Sequence, residues 1–500
     1  MNLLMEGLIN VLNIQVILIL LLGIISGIAI GSLPGLTATM GVALVLPITF
    51  GMEAVPGILL LIGVYFGSVY GGSLTAILIN TPGTPASAAT AMDGYAMSRK
   101  GLAHKALTIS TLSSSIGGIL SVIVLILVAP QLANFALRFS APETFALAVF
   151  GISIISSISG KSMVKGLMAG ILGLLIATIG IDPMGGFPRF TFGNINLANG
   201  LNLIPVMIGL FAASEAFKSM EDIFSKQNLD IKVEKVKLKW VEFKSLIITI
   251  LRSAGIGTFI GMIPGAGGDI TSFVAYNEAK RFSKNKDEFG KGAMKGIAAP
   301  EAANNSVTGG AMIPLLTLGI PGDAVTAVLL GALMVQGLQP GPLLFQNNGP
   351  IVYTLFVGML LANIFLLVIG LFGIKYFTKI LLVPKSILSP LILVLCVVGS
   401  YALNNNYFDV IVMLIAGIIG YFMVKLEFPV SPVILGLILG PLMESNLRRS
   451  LLMSQGNLSI FYTRSITLVL LVLAIITLLT PIISNNLKSK LKKSAKSENN

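Results

Sequence analysis

The sequence predicts an all-α membrane protein that crosses the bilayer many times. Of its 500 residues, 55% are hydrophobic and 11% are charged, and the mean hydropathy is +0.91. A soluble domain carries roughly 25% charged residues. Apolar runs of about 17 to 25 residues, enough to span a bilayer, recur along the chain. We expect about a dozen transmembrane or re-entrant helices in an inverted-topology repeat, and no separately folded soluble domain.

The apolar runs give the expected helices in chain order. Runs long enough to span lie near 15–32, 56–80, 106–128, 143–159, 164–180, 201–217, 351–373, 386–403, 408–424 and 465–484. Shorter or interrupted runs lie near 36–50, 245–279, 296–338 and 430–442. The chain from Leu246 to Lys280 is too short after its Pro-Gly break to cross the bilayer again, and it is interpreted as a re-entrant hairpin.

Basic residues predict the topology. The chain has 33 Lys+Arg against 21 Asp+Glu and a net charge of +12. The cations are distributed over several loops, which is typical of a topology signal and not of a single patch that binds an anionic polymer. The positive-inside rule places these loops and the C-terminus in the cytoplasm, and the cation-free residues 1–14 outside. The clusters are Arg99–Lys105, Lys161–Lys165, Lys218–Lys244, Lys280–Lys295 and Lys488–Lys496.

An internal repeat divides the chain. SLPG at 32–35 is followed by GGSLTAILINTPGT at 71–84, and MIPG at 262–265 is followed by GGAMIPLLTLGIPGD at 309–323. The first unit begins outside and the second begins inside, which is the arrangement of an inverted repeat. We therefore predict a first membrane repeat at 1–217, a cytoplasmic basic linker at 218–244, a second membrane repeat at 245–484 and a basic cytoplasmic tail at 485–500.

The Pro-Gly pairs predict helices that stop inside the membrane. Lipid tolerates irregular polar backbone only where it is buried in protein or lines a watery cavity. Helix N-termini bind carboxylates, and freed carbonyl groups can hold a small cation. The predicted helix-break or gating residues are Pro34, Gly35, Pro82, Pro264, Gly265 and Pro321. The predicted substrate-binding residues are Asn80, Thr81, Gly83, Thr84, Asn304, Asn305, Thr317, Gly319 and Gly322.

Polar residues also follow one face of a predicted helix in the second repeat. Glu301, Asn304, Asn305 and Thr308 have i, i+3, i+4 and i+7 spacing, and Pro300 suits the first turn of that helix. Interhelical hydrogen bonding alone is the packing alternative. Glu301 is interpreted as a shielded counter-charge, a cation ligand or a headgroup-level residue. The possible ion-coupling residues are Glu301, Thr308 and Asp323.

Several kinds of site are excluded by composition. One cysteine, Cys396, and one histidine, His104, allow no disulfide and no Cys- or His-based metal site; Cys396 is expected to be a small core residue. The segment before Lys161 resembles a phosphate-binding loop, but Ile155 stands where glycine is required. Without an ATPase domain, transport needs no cofactor beyond a coupling ion, Na⁺ or H⁺.

Two rival functions remain open. An ion or anion channel is less favoured because the polar residues cluster at two breaks instead of forming a continuous stripe. An intramembrane protease is a further rival, although HExxH requires two histidines and no GxSxG elbow occurs. An aspartyl protease would need a pair of intramembrane acids, for which Asp93 and Asp323 are the candidates. We expect a transporter that is not an enzyme.

Four long segments resemble one known family. They are Gly31–Met52, Gly71–Tyr95, Gly261–Lys284 and Ala299–Leu333, and they are similar to the large membrane subunit of tripartite tricarboxylate transporters, the TctA family. The resemblance implies a multi-pass subunit of the bacterial inner membrane that imports citrate-like or other small carboxylates by symport with Na⁺ or H⁺. It also implies two partners, a small four-helix membrane subunit and an extracytoplasmic solute-binding protein.

Overall fold

A computed structural model describes residues 2–33, 35–158, 162–182, 184–221, 236–265, 267–380 and 385–479. Several predictions fall on residues outside these ranges. They concern Pro34, most of the basic linker, the end of the last apolar run and the basic tail.

The described chain is almost entirely helical, which confirms the predicted all-α polytopic class. Seven helical segments are long and apolar enough to cross a membrane, and shorter apolar helices accompany them in the described ranges. One of the seven, Leu203–Glu221, consists of two α-helices joined by a π-helical stretch at Ile208–Ala213. The chain order is α1 (Asn2–Val11), α2 (Ile14–Gly31), α3 (Ala38–Val45), α4 (Ala54–Ile79), α5 (Ala88–Arg99), α6 (Ala103–Ala136), α7 (Ala141–Ile158), α8 (Met163–Ala177), β1 (Gly180–Ile181), β2 (Pro188–Arg189), α9 (Leu203–Met207), α10 (Ser214–Glu221), α11 (Trp240–Gly261), α12 (Gly267–Phe282), α13 (Met294–Leu318), α14 (Ala324–Val335), α15 (Pro342–Asn347), α16 (Gly349–Ile380), α17 (Lys385–Asn404), α18 (Tyr407–Lys425), α19 (Ser431–Met453), α20 (Ile460–Thr463) and α21 (Ser465–Leu479).

The chain forms two compact units. One comprises Met1–Leu137 with Ile204–Tyr421, and the other comprises Arg138–Leu203 with Phe422–Asn500. Both Pro-Gly segments of each predicted repeat belong to the first unit. The division of the sequence into two membrane repeats with a linker and a tail stays a prediction.

The second unit contains α7, α8 and a two-stranded antiparallel hairpin, with α19 packed against both helices. Ion pairs tie the hairpin region to α19. Arg448 bonds Asp182 at 2.8 Å, and Arg189 bonds Glu444 at 2.6 Å. Hydrogen bonds from the Arg448 guanidinium lower the pKa of Asp182 to about 2, so this carboxylate stays charged well below neutral pH.

The first unit contains two matching helix pairs, α2 with α4 and α11 with α13. Glycines allow both close approaches: a methyl group at Gly27 would lie 2.4 Å from the Val64 carbonyl oxygen, and one at Gly257 would lie 2.3 Å from the Ala303 carbonyl oxygen. Contacts this short admit only glycine. The match extends along both pairs, since Gly31 meets Ser68 as Gly261 meets Val307, four residues further on in every helix.

Candidate functional site

Both helix breaks have the same backbone design. α4 ends at Ile79 and is followed by Asn80 in the left-handed conformation with φ 53°. α13 ends at Leu318 and is followed by Gly319 with φ 70°. The next amide closes each end by bonding a carbonyl six residues back, from Thr81 to Thr75 and from Ile320 to Pro314. This pattern gives C-terminal carbonyl groups of both helices a hydrogen-bond donor, which lipid cannot provide.

The glycine of the second Pro-Gly pair in each repeat packs against the C-terminal end of the helix that precedes the first pair, α2 in one repeat and α11 in the other. A methyl group at Gly83 would lie 2.1 Å from the Gly31 carbonyl oxygen. One at Gly322 would lie 2.6 Å from Ala311 Cα and 2.8 Å from the Gly261 carbonyl oxygen. Both residues are therefore needed for close packing of the breaks, whatever they contribute to substrate binding.

The predicted helix-break residues that the structure describes lie in segments between helices. α2 and α11 end before the first Pro-Gly pairs, and Gly35 and Gly265 follow in left-handed conformations with φ 95° and 83°. Pro82 and Pro321 lie just after the ends of α4 and α13. Their gating role stays a prediction, and Pro34 lies outside the described residues.

The residues that follow the two breaks differ in charge. Thr84 leads into a short 3₁₀ turn and α5; its side chain is 6% exposed and its hydroxyl has no hydrogen-bond partner. Asp323 caps α14 by accepting the Thr326 amide at 2.8 Å, and it accepts the Tyr65 hydroxyl at 2.6 Å. One break therefore carries a neutral cap and the other a carboxylate.

The N-terminus of α12 lies where the two breaks meet. The Gly265 amide donates to the Gly322 carbonyl at 2.6 Å. A methyl group at Gly268 would lie 2.3 Å from Asn304 Oδ1 and 3.3 Å from Ala86 Cβ. The structure thus brings together α12, α13 and both breaks, as the sequence-based hypothesis of one shared site requires.

Asp269 is the charged residue at this meeting point. Its side chain is exposed, its carboxylate accepts the backbone N–H of Ala86, and it interacts electrostatically with Asp323. The sequence analysis did not select Asp269. An acid directly after the MIPGAGG break was the signal that could have revealed it.

The neutral side chains of the predicted polar face of α13 differ in their hydrogen bonds. Asn304 is 3% exposed and its Nδ2 has no hydrogen-bond partner. Asn305 donates to the Glu301 carbonyl and Thr308 to the Asn305 carbonyl, and further along the helix Thr317 donates to the Ile313 carbonyl. Asn304 is consequently the amide of this face whose nitrogen makes no hydrogen bond.

Glu301 lies in the interior of the first unit. It is 0% exposed, which argues against the headgroup-level interpretation. Four hydroxyl groups from α4, α5 and α6 donate to its carboxyl oxygens, so this buried acid has hydrogen-bond partners that are all neutral in the described chain. They are Ser73 and Thr90 at 2.5 Å and Ser110 and Ser114 at 2.9 Å.

The expected place of Pro300 in a first helical turn is wrong. α13 begins at Met294, and Pro300 lies inside the helix. The reason is a distant cap, because Asp93 of α5 accepts the amides of Gly292 and Ala293 at 2.7 Å. A carboxylate at this end stabilises the helix dipole and starts the helix earlier.

The acids considered for an aspartyl protease have separate partners. Asp93 accepts the Tyr276 hydroxyl at 2.9 Å as well as the loop amides before α13. Asp323 accepts Tyr65 and Thr326. Each carboxylate is occupied by its own donors, so the two do not form the bonded pair that such a protease needs.

Comparison with known proteins agrees with the resemblance found in the sequence. Residues 17–435 match the family described as the tripartite tricarboxylate transporter TctA family. The chain is 38% identical over 452 residues to an uncharacterized 52.8 kDa protein in the TAR-I ttuC′ 3′ region of Agrobacterium vitis, which covers 90% of this chain and 89% of that protein.

A second protein of Agrobacterium vitis, an uncharacterized protein in the TAR-II ttuC′ 3′ region, is 38% identical over 220 residues, or 44% of this chain and 91% of that protein. The family match covers most of the chain, and the helices described above are those of a multi-pass membrane protein. The chain therefore belongs to the TctA family and is a membrane component of a tripartite tricarboxylate transporter.

Proposed function

We propose that this chain imports small organic di- or tricarboxylates, citrate-like in chemistry, by secondary active transport driven by a Na⁺ or H⁺ gradient. Membership of the TctA family supports the substrate class. The observation that carries the proposal is the convergence of two matching helix breaks at the N-terminus of α12. Broken helices that face each other are the usual binding-site design of secondary transporters.

The first break is the better place for the substrate carboxylate. α5 has no acidic residue in its first turn, so its partial positive charge, part of which faces Asp269 through the Ala86 amide, favours an anion at this helix end. Asn304 has a buried donor without a partner beside this turn. A desolvated carboxylate would accept that donor in a charge-assisted hydrogen bond.

We further propose that the chain works with a small four-helix membrane subunit and an extracytoplasmic solute-binding protein. Family membership in a tripartite system supports both partners. The proposed location is the bacterial inner membrane, with the N-terminus outside and the C-terminus in the cytoplasm. The distribution of Lys and Arg in the sequence supports this orientation.

Reconstitution tests the proposal. The chain is placed in liposomes with and without the two partners, Na⁺ or H⁺ gradients are imposed, and uptake of a labelled di- or tricarboxylate is followed. We expect saturable uptake that needs the gradient and both partners. Gradient-independent flux without saturation would indicate a channel instead, and peptide cleavage without uptake would indicate a protease.

A further inference from the structure

We propose that Asp269 and Asp323 form the binding site of the coupling cation, and that this cation is a monovalent metal ion of the Na⁺ class. The proposal rests on the transport function proposed above and assigns one part of it to two residues. It separates the site into an anion part at the first break and a cation part at the second.

Hydrogen bonds and close contacts bring together the segments that carry the two acids. Gly265, four residues before Asp269, donates to the carbonyl of Gly322, the residue before Asp323. The two carboxylates interact electrostatically, and the interaction is repulsive. Asp269 is exposed, and its carboxylate accepts the Ala86 amide.

A neutral side chain beside Asp269 lacks a partner. The carboxamide of Asn304 lies against Gly268, directly before Asp269, and its Nδ2 makes no hydrogen bond although the residue is 3% exposed. The Thr84 hydroxyl, 6% exposed, is also unpartnered and lies against Gly72 of α4, at the first break. Buried polar groups without partners are costly, and a bound ligand would satisfy them. An amide can present either its oxygen or its nitrogen after a flip.

The charge of the pair requires a positive ligand. Two fixed carboxylates next to a helix end proposed to bind an anion would repel that anion, and the repulsion is stronger in a partly desolvated site than in water. A cation held between Asp269 and Asp323 removes the repulsion and links anion binding to cation binding. Capping of α12 and α14 by acids is the competing explanation; capping predicts no ion dependence.

A metal ion fits the pair better than a proton. Both oxygens of Asp323 accept hydrogen bonds, from Tyr65 on one side and from Thr326 on the other. The other oxygen groups near the pair are the Asp269 carboxylate and the Asn304 amide oxygen, which suit a hard cation such as Na⁺.

The test measures ion binding without substrate or partners. Thermal unfolding and radioactive Na⁺ binding are measured on the detergent-purified full chain, with choline and K⁺ salts as references at constant ionic strength. The variants are Asp269→Asn and Asp323→Asn, because asparagine keeps the helix-capping geometry. Asp287→Asn, in an exposed 3₁₀ turn, is the matched control.

We expect Na⁺ to raise the unfolding temperature of the wild type and of Asp287→Asn, and each site variant to weaken the apparent Na⁺ affinity by at least about tenfold. Unchanged Na⁺ affinity in either site variant would overturn the proposal. Absence of any Na⁺-specific effect in the wild type would overturn it too, and a pH-dependent shift lost in Asp269→Asn would then identify a proton as the ligand. Na⁺ binding that is intact while reconstituted protein moves no carboxylate would instead refute the transport proposal alone.

Discussion

The two helix breaks share a backbone but not a charge. Asn80 and Gly319 end their helices in the same left-handed conformation, and Gly83 and Gly322 both press against the end of a neighbouring helix. The next residue is Thr84 in one break and Asp323 in the other. The comparison shows a repeated scaffold in which the caps have become different, and this difference is the basis of the proposed anion and cation parts of the site.

Equivalent positions of α4 and α13 show the same divergence. Tyr65 follows Val64 as Asn304 follows Ala303, in helices that match residue for residue at their glycine contacts. The Tyr65 hydroxyl donates a hydrogen bond to Asp323, whereas the side-chain amide nitrogen of Asn304 has no partner. One side chain therefore fixes the cap of the second break, and the other is available beside the first.

Replacement of the break glycines should have the largest effect. Gly83→Ala would put a methyl group 2.1 Å from a backbone oxygen, and Gly322→Ala would put one 2.6 Å from a backbone carbon. Overpacking of this kind costs about 1 to 3 kcal/mol and occasionally more. We expect a lower thermal unfolding temperature for both variants in detergent, with Gly83→Ala the more severe because its contact is shorter.

Gly255→Ala is the control for this experiment. A methyl group at Gly255 would meet nothing within 4 Å, and alanine is the better helix former by about 0.5 to 1 kcal/mol. The control should unfold at or above the wild-type temperature. If both break variants unfold like Gly255→Ala, the shared close-packed scaffold is refuted.

Replacement of the α13 amides should have the next largest effect. Asn304→Ala and Asn305→Ala are both expected to abolish gradient-driven uptake while the protein stays folded. Loss of a donor to a desolvated carboxylate typically costs about 1 to 3 kcal/mol. Because Asn305 already bonds the Glu301 carbonyl, we expect Asn304→Ala to weaken substrate affinity more.

Asn363→Ala is a matched control for Asn305→Ala, since Asn363 of α16 is buried and also bonds a carbonyl of its own helix, that of Met359. Uptake by this control should persist. Near wild-type affinity in both α13 variants would favour interhelical packing as the role of these amides.

The helix breaks were predictable because their signals are local. Proline and glycine end a helix wherever they stand, and α4 and α13 end directly before the predicted pairs. The four donors to Glu301 could not be predicted in this way, since three different helices supply them and no spacing in the sequence connects them. The early start of α13 was missed for the same reason, because its cap is Asp93, about two hundred positions away in the sequence.

Exchange of the left-handed residues should have the smallest effect and gives the finest test of the comparison. Asn80→Gly and Gly319→Asn keep residues that tolerate positive φ, so we expect changes in stability of only a few tenths of a kcal/mol, below the roughly 1 to 2 kcal/mol that a left-handed residue with an ordinary side chain costs. Gly319→Ala should destabilise more than Asn80→Ala, because its methyl group would also lie 3.0 Å from the Pro340 carbonyl oxygen. Thermal unfolding measures these changes.

Asn80→Gly also distinguishes a role of Asn80 in ending the helix from a role in binding substrate, because the substitution removes an exposed side-chain amide and keeps the left-handed turn. If Asn80 binds substrate as predicted, uptake by Asn80→Gly should fall although its unfolding temperature is unchanged; unchanged uptake would restrict Asn80 to ending the helix.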